Sequence, residues 1–202
     1  MNDKRRVLAI SGSYRVGGMT DLVVERLATD LRKLGADVEH IRLRDVPVEF
    51  CLNCRQCMQK PGNEPGQCVH DDGMADIVRK IEEADAFIFA APTNFSAVTA
   101  LFKRFAERLS VYGYWPWGKA APVFRKSKLP KKPAIIVSSC AAPGLLGRLT
   151  YGTNQSLKVA ARTVGGNVVG SMVTGMISKE PRPKLPRRTE RRAHTLARKL
   201  AA

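Results

Sequence analysis

Four of the five cysteines in this chain lie within one short segment, CLNCRQCMQKPGNEPGQC. Two residues separate Cys51 from Cys54 and Cys54 from Cys57, and Cys68 follows a segment rich in Pro and Gly. Thiolates clustered as C-x2-C-x2-C hold iron-sulfur clusters together with a fourth thiolate, whereas zinc more often takes paired C-x2-C ligands. The segment therefore predicts a [4Fe-4S] cluster on Cys51, Cys54, Cys57 and Cys68. Zinc, a redox dithiol or no metal are the alternatives.

The glycine-rich segment SGSYRVGGMT is a second candidate site, because it follows an apolar run and precedes a helical pattern. A turn from a strand into a helix presents free backbone N–H groups and the positive end of the helix dipole to an anion. No Lys precedes Thr20, so the segment departs from the G-x-x-x-x-G-K-S/T loop, and it also lacks G-x-G-x-x-G. We predict a phosphate-binding loop unlike those of nucleoside triphosphatases and dinucleotide-binding Rossmann sites. The alternative is a turn that binds no ligand.

Short apolar runs alternate with longer runs of helical periodicity, and this pattern must position both candidate sites. Five repeats of strand then helix predict a three-layer α/β fold with helices on both faces of a parallel sheet. We expect one flavodoxin-like domain over residues 1–202, with five strands in the order 2-1-3-4-5 and a ligand at their carboxyl ends. The predicted strands are RVLAISGS, DVEHIRL, DAFIFAAPT, KPAIIVSSC and NVVGSMVTGMI. The predicted helices are MTDLVVERLATDLRKLG, GMADIVRKIEEA, FSAVTALFKRFAERL, GRLTYGTNQSLKVAARTVGG and a basic helix from about Leu185.

The 202 residues carry a formal net charge of +16, and basic residues are concentrated in two places. Residues 179–202 hold nine Lys or Arg against two acids, and the segment KAAPVFRKSKLPKKP holds no acid. Such surfaces attract nucleic acid, anionic lipid, acidic partners or NADPH, or are simply solvated. No apolar run approaches the roughly 18 to 20 residues that span a bilayer, and no secretion signal is recognisable. We therefore expect a cytoplasmic protein with reduced thiols.

Several segments together resemble the flavodoxin-like NAD(P)H-dependent FMN reductases and iron-sulfur flavoproteins. The similarity covers nearly the whole chain, and the motifs follow the family's order. The segments that carry it are GSYRVGGMT, CLNCRQC, CVHDDGMADI, APTNFSAVTALFKRFAERL and CAAPGLLGRLTYGT. The resemblance implies bound FMN, NAD(P)H as the electron donor, and a homodimer or homotetramer.

The resemblance also implies which residues bind FMN. The phosphate would be held by Ser11, Ser13, Arg15, Gly17, Gly18, Met19 and Thr20. Backbone groups that contact the isoalloxazine ring would come from Pro92, Thr93, Asn94, Phe95 and Ser96. The loop that flanks the ring would supply Ser139, Cys140, Ala141 and Gly144. No catalytic side chain is implied, because flavin N5 carries the chemistry.

Residues outside these motifs carry weaker signals. Arg108 is interpreted as half of a surface ion pair with Glu107 or another acid, whereas Lys103 could equally contact the cofactor or an interface. Asp71 and Asp72 are expected to cap the helix that follows them. None of the three histidines forms a recognisable triad or metal set. The aromatic and basic loop 111–132 is expected to wall the cleft, stack on nicotinamide, cover the cluster or form a dimer contact.

These observations favour an FMN-dependent oxidoreductase that takes electrons from NAD(P)H and passes them to a small-molecule or protein acceptor, with or without an iron-sulfur cluster in between. One alternative is a flavodoxin-like electron-transfer protein without its own substrate, although the basic charge opposes it. Another is a flavoprotein whose basic tail binds nucleic acid, which is the less favoured interpretation of the tail. The tail residues concerned are Arg187, Arg188, Arg191, Arg192 and Arg198.

Overall fold

The structure, a computed structural model, describes residues 4–144, 147, 149, 151–176 and 183–201. The strands are β1 (Arg6–Ser11), β2 (Asp37–Arg42), β3 (Ala86–Asn94), β4 (Ala97–Val98), β5 (Gly113–Tyr114), β6 (Val123–Phe124), β7 (Lys132–Ser139) and β8 (Gly166–Thr174). The helices are α1 (Met19–Lys33), α2 (Met74–Glu83), α3 (Ala100–Arg108), α4 (Thr153–Thr163) and α5 (Arg187–Ala201).

Five parallel strands form the central sheet in the order β2-β1-β3-β7-β8. This is the predicted 2-1-3-4-5 order of a flavodoxin-like fold. In such a sheet the strand order reverses beside the first strand, and the carboxyl ends of β1, β3 and β7 open onto one crevice. The three loops that sequence similarity assigns to FMN all leave the sheet at these ends.

Helices cover both faces of the sheet, because alternate residues of each strand point to opposite sides. Leu8 and Ile10 belong to the cluster formed with α2, α3 and α4. Val7 and Ala9 belong to the cluster formed with α1 and α5. The first cluster includes four fully buried phenylalanines, and each such ring contributes about 1.5–3 kcal/mol of hydrophobic stabilisation. These are Phe87, Phe89, Phe102 and Phe105.

The segment after β3 differs from the prediction, which placed helix from Phe95 onwards. Phe95 and Ser96 have φ values of 46° and 62°, and they form a two-residue turn between β3 and the short antiparallel strand β4. Turns of this kind require two left-handed residues, which an α-helix cannot contain. The helix begins only at Ala100, where the Thr99 side chain caps it by accepting the N–H of Phe102 at 3.2 Å.

The predicted fourth helix and fifth strand each include residues that the structure does not describe. The predicted fourth helix included residues 148 and 150, which lie outside the described residues, and α4 is described from Thr153. The fifth strand ends at Thr174, before the predicted Ile177, which also lies outside them. Among the helices that the structure describes, none has the length and apolar character needed to cross a membrane.

Candidate functional site

The loop between β1 and α1 forms an uncapped helix start. Helix α1 begins at Met19, and the residue before it is Gly18, which has no side chain to donate or accept a capping bond. Gly17 has a φ of 67°, a conformation that glycine adopts without strain. The N–H groups of the first turn have no partner within a helix, so they are available to an anion in front of α1.

An ion pair between Arg44 and Asp21, which was not predicted from the sequence, stabilises this loop. Arg44 lies just after β2, and its guanidinium contacts Asp21 at 2.9 Å and donates to the Ser13 carbonyl at 3.0 Å. Asp21 in turn accepts the Gly17 N–H at 3.2 Å. Arg44 therefore neutralises a buried carboxylate that would otherwise repel a phosphate, and it fixes the path of the loop. No sequence motif marks Arg44, because its partner lies 23 residues earlier.

The three predicted loops enclose one cavity of about 290 Å3 at the carboxyl ends of the strands. Thr20 and Ser139 are hydrogen-bonded through their hydroxyls at 2.7 Å, which joins the first loop to the third. The predicted residues that line the cavity are Ser13, Arg15, Gly18, Met19, Thr20, Pro92, Thr93, Asn94, Ser139, Cys140 and Ala141. Tyr14 and Pro183 also line it and were not predicted.

Five predicted residues do not line this cavity. Gly17 belongs to the loop before α1 and Gly144 to the segment after β7, but neither contacts the cavity. Phe95 and Ser96 form the turn after β3, and the Phe95 side chain is fully exposed to solvent. Ser11 is fully buried at the end of β1.

Ser11 belongs to a hydrogen-bonded chain with His40 and Glu25. The Nε2 atom of His40 lies 2.9 Å from Ser11 Oγ, and its Nδ1 atom lies 3.0 Å from Glu25 Oε1. The connectivity resembles a catalytic triad, which the sequence had not revealed, but Ser11 is buried and out of reach of a substrate. Burial lowers the pKa of His40, which favours the neutral ring. These three hydrogen-bonded side chains therefore hold the end of β1 in place rather than supplying a nucleophile.

The four clustered cysteines line a second, much smaller cavity of about 30 Å3. Asn53 and Arg55 have φ values of 52° and 59°, so the chain turns twice within the cysteine motif. The backbone N–H of Asn53 points to Cys51 Sγ at 3.4 Å, as N–H groups do around cluster sulfurs. Burial raises the pKa of Cys57, although its hydrogen bond to Ser110 acts in the opposite direction. Across the described chain, no three His, Cys, Asp or Glu side chains are arranged to hold a single metal ion.

Arg108 lies beneath the cysteine motif, and its interpretation as a surface residue is wrong. Its side chain is 1% exposed and pairs with Asp72, which is 7% exposed, through contacts of 2.7 and 3.0 Å. It also donates to the Glu49 carbonyl at 2.8 Å. Its Nε atom is buried without a hydrogen-bond partner, and Arg108 and Cys68 line the same cavity of about 390 Å3. The predicted surface pair exists instead between Lys103 and Glu107, at 3.3 Å.

Asp72 combines this ion pair with the helix-capping role predicted for it. Its carboxylate accepts the N–H of Met74 at 3.0 Å, at the start of α2, and the N–H of Glu49 at 2.7 Å. Burial alone would raise the pKa of Asp72, but these bonds and Arg108 lower it to about 2. The carboxylate is therefore charged throughout the neutral range, and it ties α2, α3 and the segment before the cysteines together.

The aromatic and basic loop 111–132 packs against the cysteine motif, which is one of the arrangements considered for it. Arg55 is stacked between Trp115 and Trp117, with its guanidinium carbon 3.8 and 4.3 Å from the two ring centres. Arg125, a buried residue of the same loop, donates to backbone carbonyls of the cysteine segment and to one at the start of its own loop. These carbonyls belong to Cys57, Lys60, Gly62 and Val111.

Replacing Gly66 with alanine is expected to disrupt the cysteine motif. A Cβ atom there would lie 1.7 Å from the Cys57 carbonyl oxygen, so the backbone that carries Cys68 would have to move. We expect a loss of about 1–3 kcal/mol in the free energy of unfolding, as in other overpacked sites, measured by urea denaturation. Gly152→Ala is the matched control, since its Cβ would meet only Ser96 O at 3.6 Å. Equal stability of the two variants would contradict the close approach.

The fold and this crevice define a class: a flavodoxin-like α/β protein with an uncapped helix start at the strand ends. The family model of the NADPH-dependent FMN reductases matches residues 5–174, and the chain belongs to that family. A 111-residue segment is 32% identical to an iron-sulfur flavoprotein of Archaeoglobus fulgidus, covering 55% of this chain and 48% of that one. For an iron-sulfur flavoprotein of Methanocaldococcus jannaschii the identity is 33% over 103 residues, 51% of each chain.

The chain thus spans about half the length of the curated relatives it matches. Solved structures cover it more fully at lower identity. An azoreductase of Bacillus anthracis covers 98% of both chains, with a TM-score of 0.66 and 12% identity. An NADH:FMN oxidoreductase covers 98% of this chain and 89% of its own, with a TM-score of 0.64 and 16% identity. At these identities the likeness establishes the fold.

Proposed function

We propose that this protein is an FMN-dependent oxidoreductase that takes electrons from NAD(P)H. One observation carries the proposal: the uncapped start of α1 and the loops after β3 and β7 line a single cavity. An anion-binding turn at one end, joined to a largely apolar crevice, suits a molecule with a phosphate at one end and a flat ring at the other. Membership of the FMN reductase family supports the same cofactor.

In this proposal the first loop binds the FMN phosphate. First-turn N–H groups of α1 and the Thr20 hydroxyl would donate to phosphate oxygens, and Arg15 would supply the positive charge. Pro92, Thr93 and Asn94 would border the ring on one side, with Cys140 and Ala141 on the other. Bound FMN would accept hydride from NAD(P)H and release electrons to an acceptor. The protein contributes position and exclusion of water.

We extend the proposal to a [4Fe-4S] cluster on Cys51, Cys54, Cys57 and Cys68. All four thiols line one cavity, although that cavity is small in this structure. The buried Nε of Arg108 has no hydrogen-bond partner, and Arg108 lines a neighbouring cavity together with Cys68, so it would supply a donor near the cluster. Curated relatives with about one third identity are iron-sulfur flavoproteins. The cluster would pass electrons from FMN to the acceptor one at a time.

Three further parts of the prediction belong to this proposal. The acceptor is either a small molecule or a protein. The protein forms a homodimer or homotetramer, which exposed apolar side chains such as Phe95 and Trp117 support. The cytoplasmic location stays a prediction from the sequence.

Thr20→Val is expected to weaken FMN binding by about tenfold or more, because a hydrogen bond to a charged group contributes about 1.5–3 kcal/mol. Titration of the apoprotein with FMN, followed by the quenching of flavin fluorescence, measures the dissociation constant. Thr195→Val, on the exposed side of α5, is the control and should bind as the parent does. An apoprotein that ignores FMN, or that binds riboflavin as tightly as FMN, would overturn the proposed function.

A further inference from the structure

A groove of about 660 Å3 runs between β8 and the beginning of α5. Strand β8 lies at the edge of the central sheet, since among the described strands it pairs with β7 alone. The groove lies outside the cavity proposed for FMN, and no role has been assigned to it so far. Its lining includes Gly144, Ser171, Met176, Pro186, Arg188 and Arg192.

The groove adjoins the proposed FMN cavity along two chain segments. In the loop after β7, Ala141 lines the cavity, whereas Pro143 and Gly144 line the groove. Before α5, Pro183 lines the cavity and Pro186 lines the groove. The cavity and the groove are therefore neighbours along these two segments.

Two arginines give the groove a positive charge. Arg188 is exposed and has no ion-pair partner among the residues that the structure describes. Arg192 donates one N–H to the Ser171 carbonyl at 2.9 Å, and the rest of its guanidinium is exposed. The acid closest in sequence, Glu190, is paired with Arg26 at 3.2 Å. Two guanidinium groups with free donors suit a phosphate monoester, which they can bind in a bidentate manner.

We propose that Arg188 and Arg192 bind the 2′-phosphate of NADPH and so select NADPH over NADH. This inference rests on the proposed function, which places the nicotinamide at the FMN cavity. The remainder of the dinucleotide must then lie across a neighbouring surface, and the groove is such a surface with matching charge. NADPH differs from NADH by one phosphate monoester, which is close to doubly charged at neutral pH. The position of the groove beside the cavity favours a dinucleotide over a nucleic acid.

Arg188→Gln is expected to lower kcat/KM for NADPH about tenfold in the FMN-loaded protein and to leave kcat/KM for NADH within about twofold, because only the phosphate loses a contact. Adding Arg192→Gln should lower the NADPH value further. Arg198→Gln removes the same charge from the same helix but lies outside the groove, so it should change neither value. Equal losses for NADPH and NADH, or an equal effect of Arg198→Gln, would overturn the assignment.

A direct binding measurement separates this inference from the proposed function. Calorimetry should show that 2′,5′-ADP binds at least about tenfold more tightly than 5′-AMP, and that Arg188→Gln removes the difference. This readout needs neither flavin nor turnover, so it stands even if FMN fails to bind. Equal affinity for the two nucleotides refutes the phosphate site. Binding of single-stranded RNA that Arg188→Gln abolishes, with no preference for 2′,5′-ADP, would assign the groove to nucleic acid instead.

Discussion

Replacing Cys54 with serine is expected to prevent assembly of the iron-sulfur cluster that we propose for this protein. A serine hydroxyl is a poor substitute for a thiolate, and the three remaining thiols of the motif cannot complete a four-thiolate site. Anaerobically reconstituted parent protein should contain about four irons and four sulfides per chain, whereas the Cys54→Ser variant should contain less than about one. Colorimetric iron and sulfide determination, with the visible absorption spectrum, gives the result without any assay of activity.

The fifth cysteine provides the matched control. Cys140 is buried at the end of β7 and lines the proposed FMN cavity, away from the cysteine motif. Cys140→Ser should therefore retain the parent's iron content. If Cys54→Ser kept its iron, or if the parent bound none under reducing conditions, the motif would have to be explained as a packing element.

Arg108→Gln is expected to lower the free energy of unfolding by about 3–5 kcal/mol, because it leaves the buried carboxylate of Asp72 without its counter-charge. Urea denaturation at pH 7 measures the loss. Lys103→Gln serves as the control on the same helix, since its pair with Glu107 is exposed and contributes at most about 1 kcal/mol. Equal effects of the two substitutions would contradict the burial of Arg108.

The same ion pair makes stability depend on pH in a defined range. The pKa of Asp72 falls from 3.8 to about 2 in the folded protein, so the folded state binds a proton less readily than the unfolded state. The resulting contribution, about 2 kcal/mol, is present above pH 4 and is lost as the pH falls from about 4 to 2. Arg108→Gln should flatten this part of the stability profile. A parent-like slope in the variant would show that another carboxylate is responsible.

The periodicity of the sequence was sufficient to predict the sheet and most helices, because each strand-helix repeat carries its own local signal. The strand RVLAIS, for example, is apolar from Val7 to Ile10, since both of its faces are covered there. The layered architecture followed from the right-handed crossovers of a parallel sheet, and the strand order from the fit of five such strands to the flavodoxin-like fold. The loops proposed for FMN were assigned from the resemblance to the family, and they lie together because parallel strands place their carboxyl ends at one edge.

What the sequence could not reveal depended on contacts between distant residues. Glu107 stands next to Arg108 in the sequence, whereas Asp72, its actual partner, lies 36 residues earlier. The turn at Phe95 was assigned to a helix because FSAVTALFKRF has apolar residues at helical spacing, and nothing local indicates the left-handed φ values. The role of Arg44 could not be predicted either, because it depends on a contact with Asp21 that forms only when the segment after β2 packs beside the first loop.

Arg55 and its aromatic neighbours have an optical consequence. The chain contains two tryptophans, and both rings stand within 4.3 Å of the Arg55 guanidinium, inside the cysteine motif. Tryptophan fluorescence therefore reports on the region around Arg55 alone. The tryptophan emission of the apoprotein reports whether Arg55 and the two rings are packed together.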